Sequence, residues 1–137
     1  MSILRITLDT GALIAIERRK RRGRLLLDLA RQRIARLLVP IPVVVEWWRA
    51  RTDVRERILE AVSIEPLSLS VARSAGEALA KVTKTNSSDG SLAIDAIVMA
   101  FAASHGGIVY TADFEDLETL RVACFPAVRV LGVGDDV

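Results

Sequence analysis

The stretch ITLDTGALIAI (6–16) decides the fold. Together with the residues before it, ILRITL (3–8) is rich in β-branched and aliphatic side chains and predicts a short strand. The run stops at Asp9-Thr10-Gly11, and GALIAIERR then has the content of a helix. A strand that ends on an acid and passes through a small-residue turn into a helix is the opening of an α/β unit. A related succession returns near the other end of the chain, where GIVYT (107–111) predicts a strand and Asp113 follows two residues after Thr111.

Between these two points strands and helices alternate. RRKRRGRLLLDLARQRIAR begins as a basic turn and continues with apolar residues at 25, 26, 29, 30 and 34, a helical spacing. LLVP (37–40) predicts a strand, and Pro42 stands where a helix can start, since its missing N–H is harmless in a first turn. VVVEWWRARTDVRERILEAV reads as one or two helices with a break at Thr52-Asp53, where Thr52 can cap. SIEPLSLS (63–70) reads as extended, VARSAGEALAKVTK (71–84) as a helix, and TNSSDGS (85–91) as a polar loop ahead of a further helix that ends at Gly106-Gly107. ADFEDLETLR reads as a loop with a short helical turn, and AVRVLGV (127–133) as the last strand. This order predicts an α/β domain with a parallel sheet covered by helices on both faces.

The length of 137 residues fits a single domain, 1–137. No apolar run is long enough to span a bilayer, and the N-terminus has neither a basic leader nor a cleavage pattern, so no membrane association is expected. The lone Cys124 excludes an intrachain disulfide, reads as a small buried hydrophobe, and fits a reducing, cytoplasmic setting. The net charge of +2 conceals an asymmetry: residues 1–57 hold 14 Lys or Arg against 6 Asp or Glu, and residues 58–137 hold 5 against 11. An Arg-rich half beside an acid-rich half suits a protein that draws a polyanion toward an acidic, cation-loaded pocket. Solvated helix faces are the plainer explanation for any single Arg, and the run RRKRRGR (18–24) is open to both.

Certain acids stand out because each interrupts a hydrophobic run. Asp9 and Asp113 follow strands, which places both on the carboxyl edge of the sheet, where functional groups of such folds gather. Asp95 lies in SLAIDAIVMAFAA (91–103), a run with the composition of a buried helix, where an unpartnered carboxylate would cost several kcal/mol or go neutral. Glu46 sits one turn into the helix after LLVP; an ion pair with Arg49 is its simpler role. Carboxylates gathered in one place repel one another unless a cation neutralises them. With no His or Cys cluster for zinc, Mg²⁺ or Mn²⁺ is the natural ion, and such a site can act on phosphodiesters.

As a set, these segments resemble the PIN-domain ribonucleases of the VapC toxin type, over almost the whole chain. ITLDTGALIAI is similar to the first motif of that family, PVVVEWWRA to the second with Glu46, SLAIDAIVMAFAASHG to the third with Asp95, and IVYTADFEDL to the fourth with Thr111 and Asp113. The resemblance implies a Rossmann-like α/β/α sandwich with a parallel sheet of four or five strands. It implies that Asp9, Asp95 and Asp113 bind one or two Mg²⁺ or Mn²⁺ ions and that Glu46 completes the catalytic set. Thr111 would hydrogen-bond a carboxylate or a water on the metal, and Asp116 would be an accessory acid. The activity implied is endonucleolytic hydrolysis of RNA. The partners implied are a second copy of the chain, as a homodimer, and a VapB-like antitoxin lying across the active-site groove.

Other residues have simpler expectations. Trp47 and Trp48 point about 100° apart on a helix, so one packs in the core while the other is free for a partner. His105 caps carbonyls at a helix end, and Glu115 and Glu118 face solvent. A PIN-like module that binds RNA or protein without cutting is the alternative function; the presence of Asp9, Glu46, Asp95 and Asp113 together argues against it. A phosphatase or phosphoacceptor on a similar scaffold ranks lower, because position 11 is Gly where a dehalogenase-like phosphatase needs a second Asp.

Overall fold

In the computed structural model, which describes residues 3–83 and 90–133, the opening stretch divides as expected into a strand, β1 (Leu4–Leu8), and a helix, α1 (Thr10–Glu17). The chain continues through α2 (Arg21–Arg31), β2 (Ala35–Pro40), α3 (Ile41–Trp47), α4 (Asp53–Ala61) and β3 (Ser63–Glu65). It then forms α5 (Leu69–Thr83), α6 (Gly90–Ser104), β4 (Ile108–Thr111), α7 (Phe114–Cys124) and β5 (Arg129–Gly132). The five strands pair in the order β3-β2-β1-β4-β5, and every pairing is parallel. Helices α5, α6 and α7 pack together against β1, β4 and β5, while α1, α2 and α4 form a second group. This is an α/β sandwich.

The strand order reverses between β1 and β4: the chain builds outward from β1 through β2 to β3, then returns to β1's other side. A crevice opens at the carboxyl ends of two strands that diverge in this way. Leu8 pairs with Tyr110, so extending the register by one residue sets Asp9 opposite Thr111.

Helix α6 explains the composition of SLAIDAIVMAFAA. Ala96, Val98, Met99, Ala100, Phe101 and Ala102 are all buried, because the helix lies between the sheet and α5. A helix apolar all round is a buried helix. Phe101, Leu8, Leu37, Leu38 and Leu117 are among the largest fully buried side chains, each contributing about 1.5–3 kcal/mol relative to exposure.

The structure corrects several boundaries. ADFEDLETLR is not a loop with a helical turn: α7 runs for 11 residues, because Leu117 and Leu120 are one helical turn apart and both are fully buried. Of SIEPLSLS only Ser63–Glu65 is a strand, since Ser68 accepts from Val71 N at 3.1 Å and starts α5 at Leu69. β2 begins two residues earlier than expected, at the buried Ala35, which pairs with Leu4, and β5 is shorter than 127–133. The break at Thr52 stands, with its side chain accepting from Arg55 N at 3.1 Å. Most of the expected polar loop 85–91 lies outside the described residues. Cys124 is half-buried rather than buried. Among the described residues no helix is long and apolar enough to cross a membrane.

Candidate functional site

Asp9 occupies the joint between β1 and α1. Its backbone is extended (φ −92°, ψ −177°), and its Oδ1 accepts from Ala12 N at 2.8 Å, capping the helix. Its Oδ2 accepts from the hydroxyl of Thr111, the last residue of β4. Thr111 is fully buried, and its Oγ1 also accepts from Asp113 N at 2.8 Å. One hydroxyl therefore ties the β1–α1 joint to the β4–α7 joint. Gly11 permits that closeness: a Cβ there would come within 2.5 Å of the Ala112 Cβ.

The remaining acids face this joint from other elements. Asp113 and Asp116 lie at the cap and in the first turn of α7 and are exposed. Asp95, in the second turn of α6, is half-buried. Glu46, on α3, accepts a hydrogen bond at Oε1 from the Thr10 hydroxyl. Arg49 does not take the carboxylate; its Nε donates to the Glu46 main-chain oxygen at 3.2 Å. Helix α3 is itself braced: Glu17 accepts from Trp47 Nε1 at 3.0 Å and from Arg55 at 3.1 and 3.2 Å. Burial pushes the Glu17 carboxyl up, but the bonds from Arg55 and Trp47 outweigh it and hold the carboxyl below its ordinary range.

The charges of these acids act on one another. Burial raises Asp9 to about 6; its bonds from Thr111 and Ala12 N oppose the rise, and the charges of Asp113 and Glu46 add to it. Asp95 rises to about 7, first through burial and then through Asp9, Asp113, Asp116 and Glu46. Asp113 is also raised, by burial and by its hydrogen bond and charge contact with Asp116. Such a set calls for a cation.

Asp95, Asp113 and Asp116 each offer a carboxylate oxygen, all within 4.8 Å of one another. Oxygens around one Mg²⁺ stand up to about 4.2 Å apart, so the triplet is close to the size of such a shell. The donors are all carboxylate oxygens, which fit Mg²⁺ or Mn²⁺. The grouping differs from the expected one in one respect. Asp9 lies outside this triplet, although each of its oxygens takes a single hydrogen bond and keeps a lone pair for an ion, and Asp116, expected as an accessory, is part of it.

Thr10 was missed by the sequence reading. A hydroxyl directly after a strand-end acid was the available signal, but its partner is 36 residues away and nothing local names it. Trp47 is buried, as one of the pair was expected to be, but Trp48 lies just past the end of α3 and is half-buried against the core, with the two rings 5.8 Å apart. His105 stacks on Phe101 and bonds its carbonyl through Nδ1 at 2.8 Å, away from the acids. Glu118 pairs with Arg121 at 2.7 Å instead of standing alone in solvent.

Comparisons with known proteins agree with this fold. The family model of the PIN domain matches residues 6–121. No curated protein sequence matches the chain. Among solved structures, a DNA-bound VapBC from Salmonella typhimurium is similar at a TM-score of 0.69 and 17% identity, over 96% of this chain and 100% of that one. VapBC2 from Rickettsia felis, bound to a promoter DNA fragment, gives 0.70 and 14%, over 94% and 98%. FitAB bound to a DNA fragment gives 0.65 and 18%, over 93% and 94%.

Proposed function

The chain belongs to the PIN-domain family, and from that premise we propose that it is a metal-dependent endoribonuclease, the toxin of a VapC-type toxin–antitoxin pair. The observation that carries this reading is the convergence of Asp9, Glu46, Asp95, Asp113 and Asp116 at the point where the strand order reverses. Asp95, Asp113 and Asp116 would hold Mg²⁺ or Mn²⁺, and Asp9, which also fixes the pocket's shape through Ala12 and Thr111, would add a ligand oxygen from the β1–α1 joint. When bound, the ion supplies Lewis-acid stabilisation of charge on a phosphodiester. Thr10 fixes one oxygen of Glu46, and the other is the acceptor we assign to the attacking water. Thr111 keeps Asp9 and the Asp113 backbone in register with each other.

The partners follow from the same reading. The structural neighbours are toxin–antitoxin complexes, which supports a VapB-like antitoxin for this chain. A groove of about 440 Å³ between α1, α2 and α4 has an apolar floor that includes Leu27 and Ile58, with Arg24 and Arg57 among its lining residues. It suits an amphipathic segment with acidic residues. Exposed Ile41 and Val45 on α3 support a homodimer, since large apolar side chains in solvent favour a partner.

The test is cleavage of a mixed single-stranded RNA pool by purified protein with Mg²⁺, with Mn²⁺ and with EDTA. Asp95→Asn serves as the control for contaminating nuclease. Cleavage that needs both the ion and Asp95 is the expected result. Absence of both cleavage and divalent-ion binding would replace this reading with the non-catalytic module.

A further inference from the structure

A cluster of carboxylates repels a polyanion, so a nuclease built on one needs cations on the same edge of the molecule. The turn joining α1 to α2, together with the first turn of α2, carries six of them in seven residues, Arg18 to Arg24, with Gly23 as the exception. Its position is set by two contacts. Arg22 donates from Nη1 to the main-chain oxygen of Gly132, at the carboxyl end of β5, which is the edge that carries the acids. Gly23 lies flat on α1, where a Cβ would come within 2.7 Å of the Ala15 oxygen, so the start of α2 cannot drift from its partner helix. Arg19 makes the reversal in the left-handed region, at φ +56°.

Arg18, Arg19, Arg21, Arg22 and Arg24 are exposed. Among the described residues, Arg18, Arg19, Lys20 and Arg24 form no ion pair within 4.0 Å, whereas Arg31, Arg51 and Arg55 do. Four such groups thus fall within seven residues here. Its distance from the acids follows from α1, whose eight residues span about 12 Å from Asp9. At a rise of ~3.4 Å per nucleotide, that is roughly three to four nucleotides of stacked single strand. Guanidinium groups suit phosphate by their forked donor geometry.

Resting on the nuclease reading above, we propose that the α1–α2 turn is the surface that holds the phosphate backbone of single-stranded RNA, a few nucleotides from the bond to be cut. It contacts backbone and not bases, so it contributes affinity without sequence preference. A protein partner for the same turn is the competing outcome of the test.

The experiment compares three forms of the full-length chain. One is the wild type. The second is Arg18→Gln/Lys20→Gln/Arg21→Gln. The third is Arg5→Gln/Arg33→Gln/Arg129→Gln, an equal charge loss at the amino edge of the sheet. Binding of a labelled single-stranded RNA is followed in EDTA across salt concentration, and cleavage is followed with Mg²⁺. Each lost phosphate contact lowers the log–log salt slope by about 0.7, so the turn variant should lose about 2 from its slope. Between 50 and 200 mM salt the wild type then weakens roughly 20-fold more than the turn variant. The amino-edge variant keeps the wild-type slope. In cleavage, the turn variant raises KM with kcat within about twofold, because it acts on binding and not on the reacting atoms.

Equal slopes in the wild type and turn variant, with cleavage intact, overturn the surface and leave the nuclease reading standing. A slope difference without cleavage by any form overturns the nuclease reading and leaves the surface as a binding site. Equal loss of slope in both variants shows a net-charge effect and overturns the surface. Melting temperatures of the three forms within about 2 °C exclude unfolding as the cause.

Discussion

Two strand-end aspartates occupy equivalent places and live in different environments. Asp9 and Asp113 both sit at the cap of a helix that follows a central, parallel strand. Asp9 is buried, caps its helix through Ala12 N and takes the Thr111 hydroxyl. Asp113 is exposed, and its side chain caps nothing. The difference comes from the neighbours. Asp9 directly follows β1, which is paired on both sides, whereas Asp113 has cleared its strand by two residues and stands with Asp95 and Asp116. The same residue type at the same topological place is thus buried and hydrogen-bonded in one case and exposed beside other acids in the other.

The sharpest break in this contrast is between Asp113→Asn and Asp9→Asn. Losing Asp113 removes a ligand and several kcal/mol of transition-state stabilisation, so RNA cleavage should fall on the order of 10³-fold. The metal-free melting temperature should stay unchanged or rise, because a repelled carboxylate has gone. Asp9→Asn should instead alter the melting temperature as well as cleavage. Identical thermal and kinetic behaviour in the two variants would erase the distinction.

Thr111→Val probes the link between the two joints. It removes the donor to Asp9 and the acceptor for Asp113 N, both buried or partly buried. A drop of about 10- to 100-fold in metal affinity or turnover is expected. A loss of about 1–3 kcal/mol in stability should accompany it, read by denaturant unfolding.

The pH dependence sharpens the contrast further. In the folded chain Asp9 titrates near 6 and Asp95 near 7, against an ordinary value of 3.8. Between those values the folded state keeps protons that the unfolded chain has released. The contribution of these two acids to metal-free stability is therefore fullest below about pH 4 and declines as pH rises through 6 to 7. For Asp9 alone the decline is on the order of 3 kcal/mol. Melting curves in EDTA from pH 5 to 8 should fall, and saturating Mg²⁺ should flatten them, since the ion takes the place of the protons. A metal-free melting temperature that rose over this range would contradict the burial of these acids.

The smallest effect is expected at Thr10→Ala. Glu46 loses a hydroxyl donor but keeps its helix, which Glu17, Trp47 and Arg55 brace independently. A several-fold fall in kcat with little change in stability is expected from steady-state kinetics and melting. A fall as large as that of Asp113→Asn would place Thr10 at the reacting atoms.

Much of this was legible from the chain. ILRITL and GIVYT announced strands, Thr52 announced a cap, and Asp9, Glu46, Asp95 and Asp113 stood out as charges set among apolar residues. The helix after Asp113 was not, because acids and Thr at 115, 116, 118 and 119 masked the Leu117–Leu120 pair that anchors it. Nor were the Thr10–Glu46 and Thr111–Asp9 bonds, which join residues 36 and 102 positions apart.

By itself the sequence determined which residues could do chemistry, since an acid that survives inside a hydrophobic run is marked wherever the run folds. Which of them stand close enough together to share an ion, and which are tied into the frame, was decided only by the tertiary structure. β1 pairs with β4 across about a hundred residues, and that pairing turns Asp9 inward toward Thr111 while leaving Asp113 free beside Asp95 and Asp116. Burial and oxygen-to-oxygen distance are properties of packed elements, and no local periodicity encodes them.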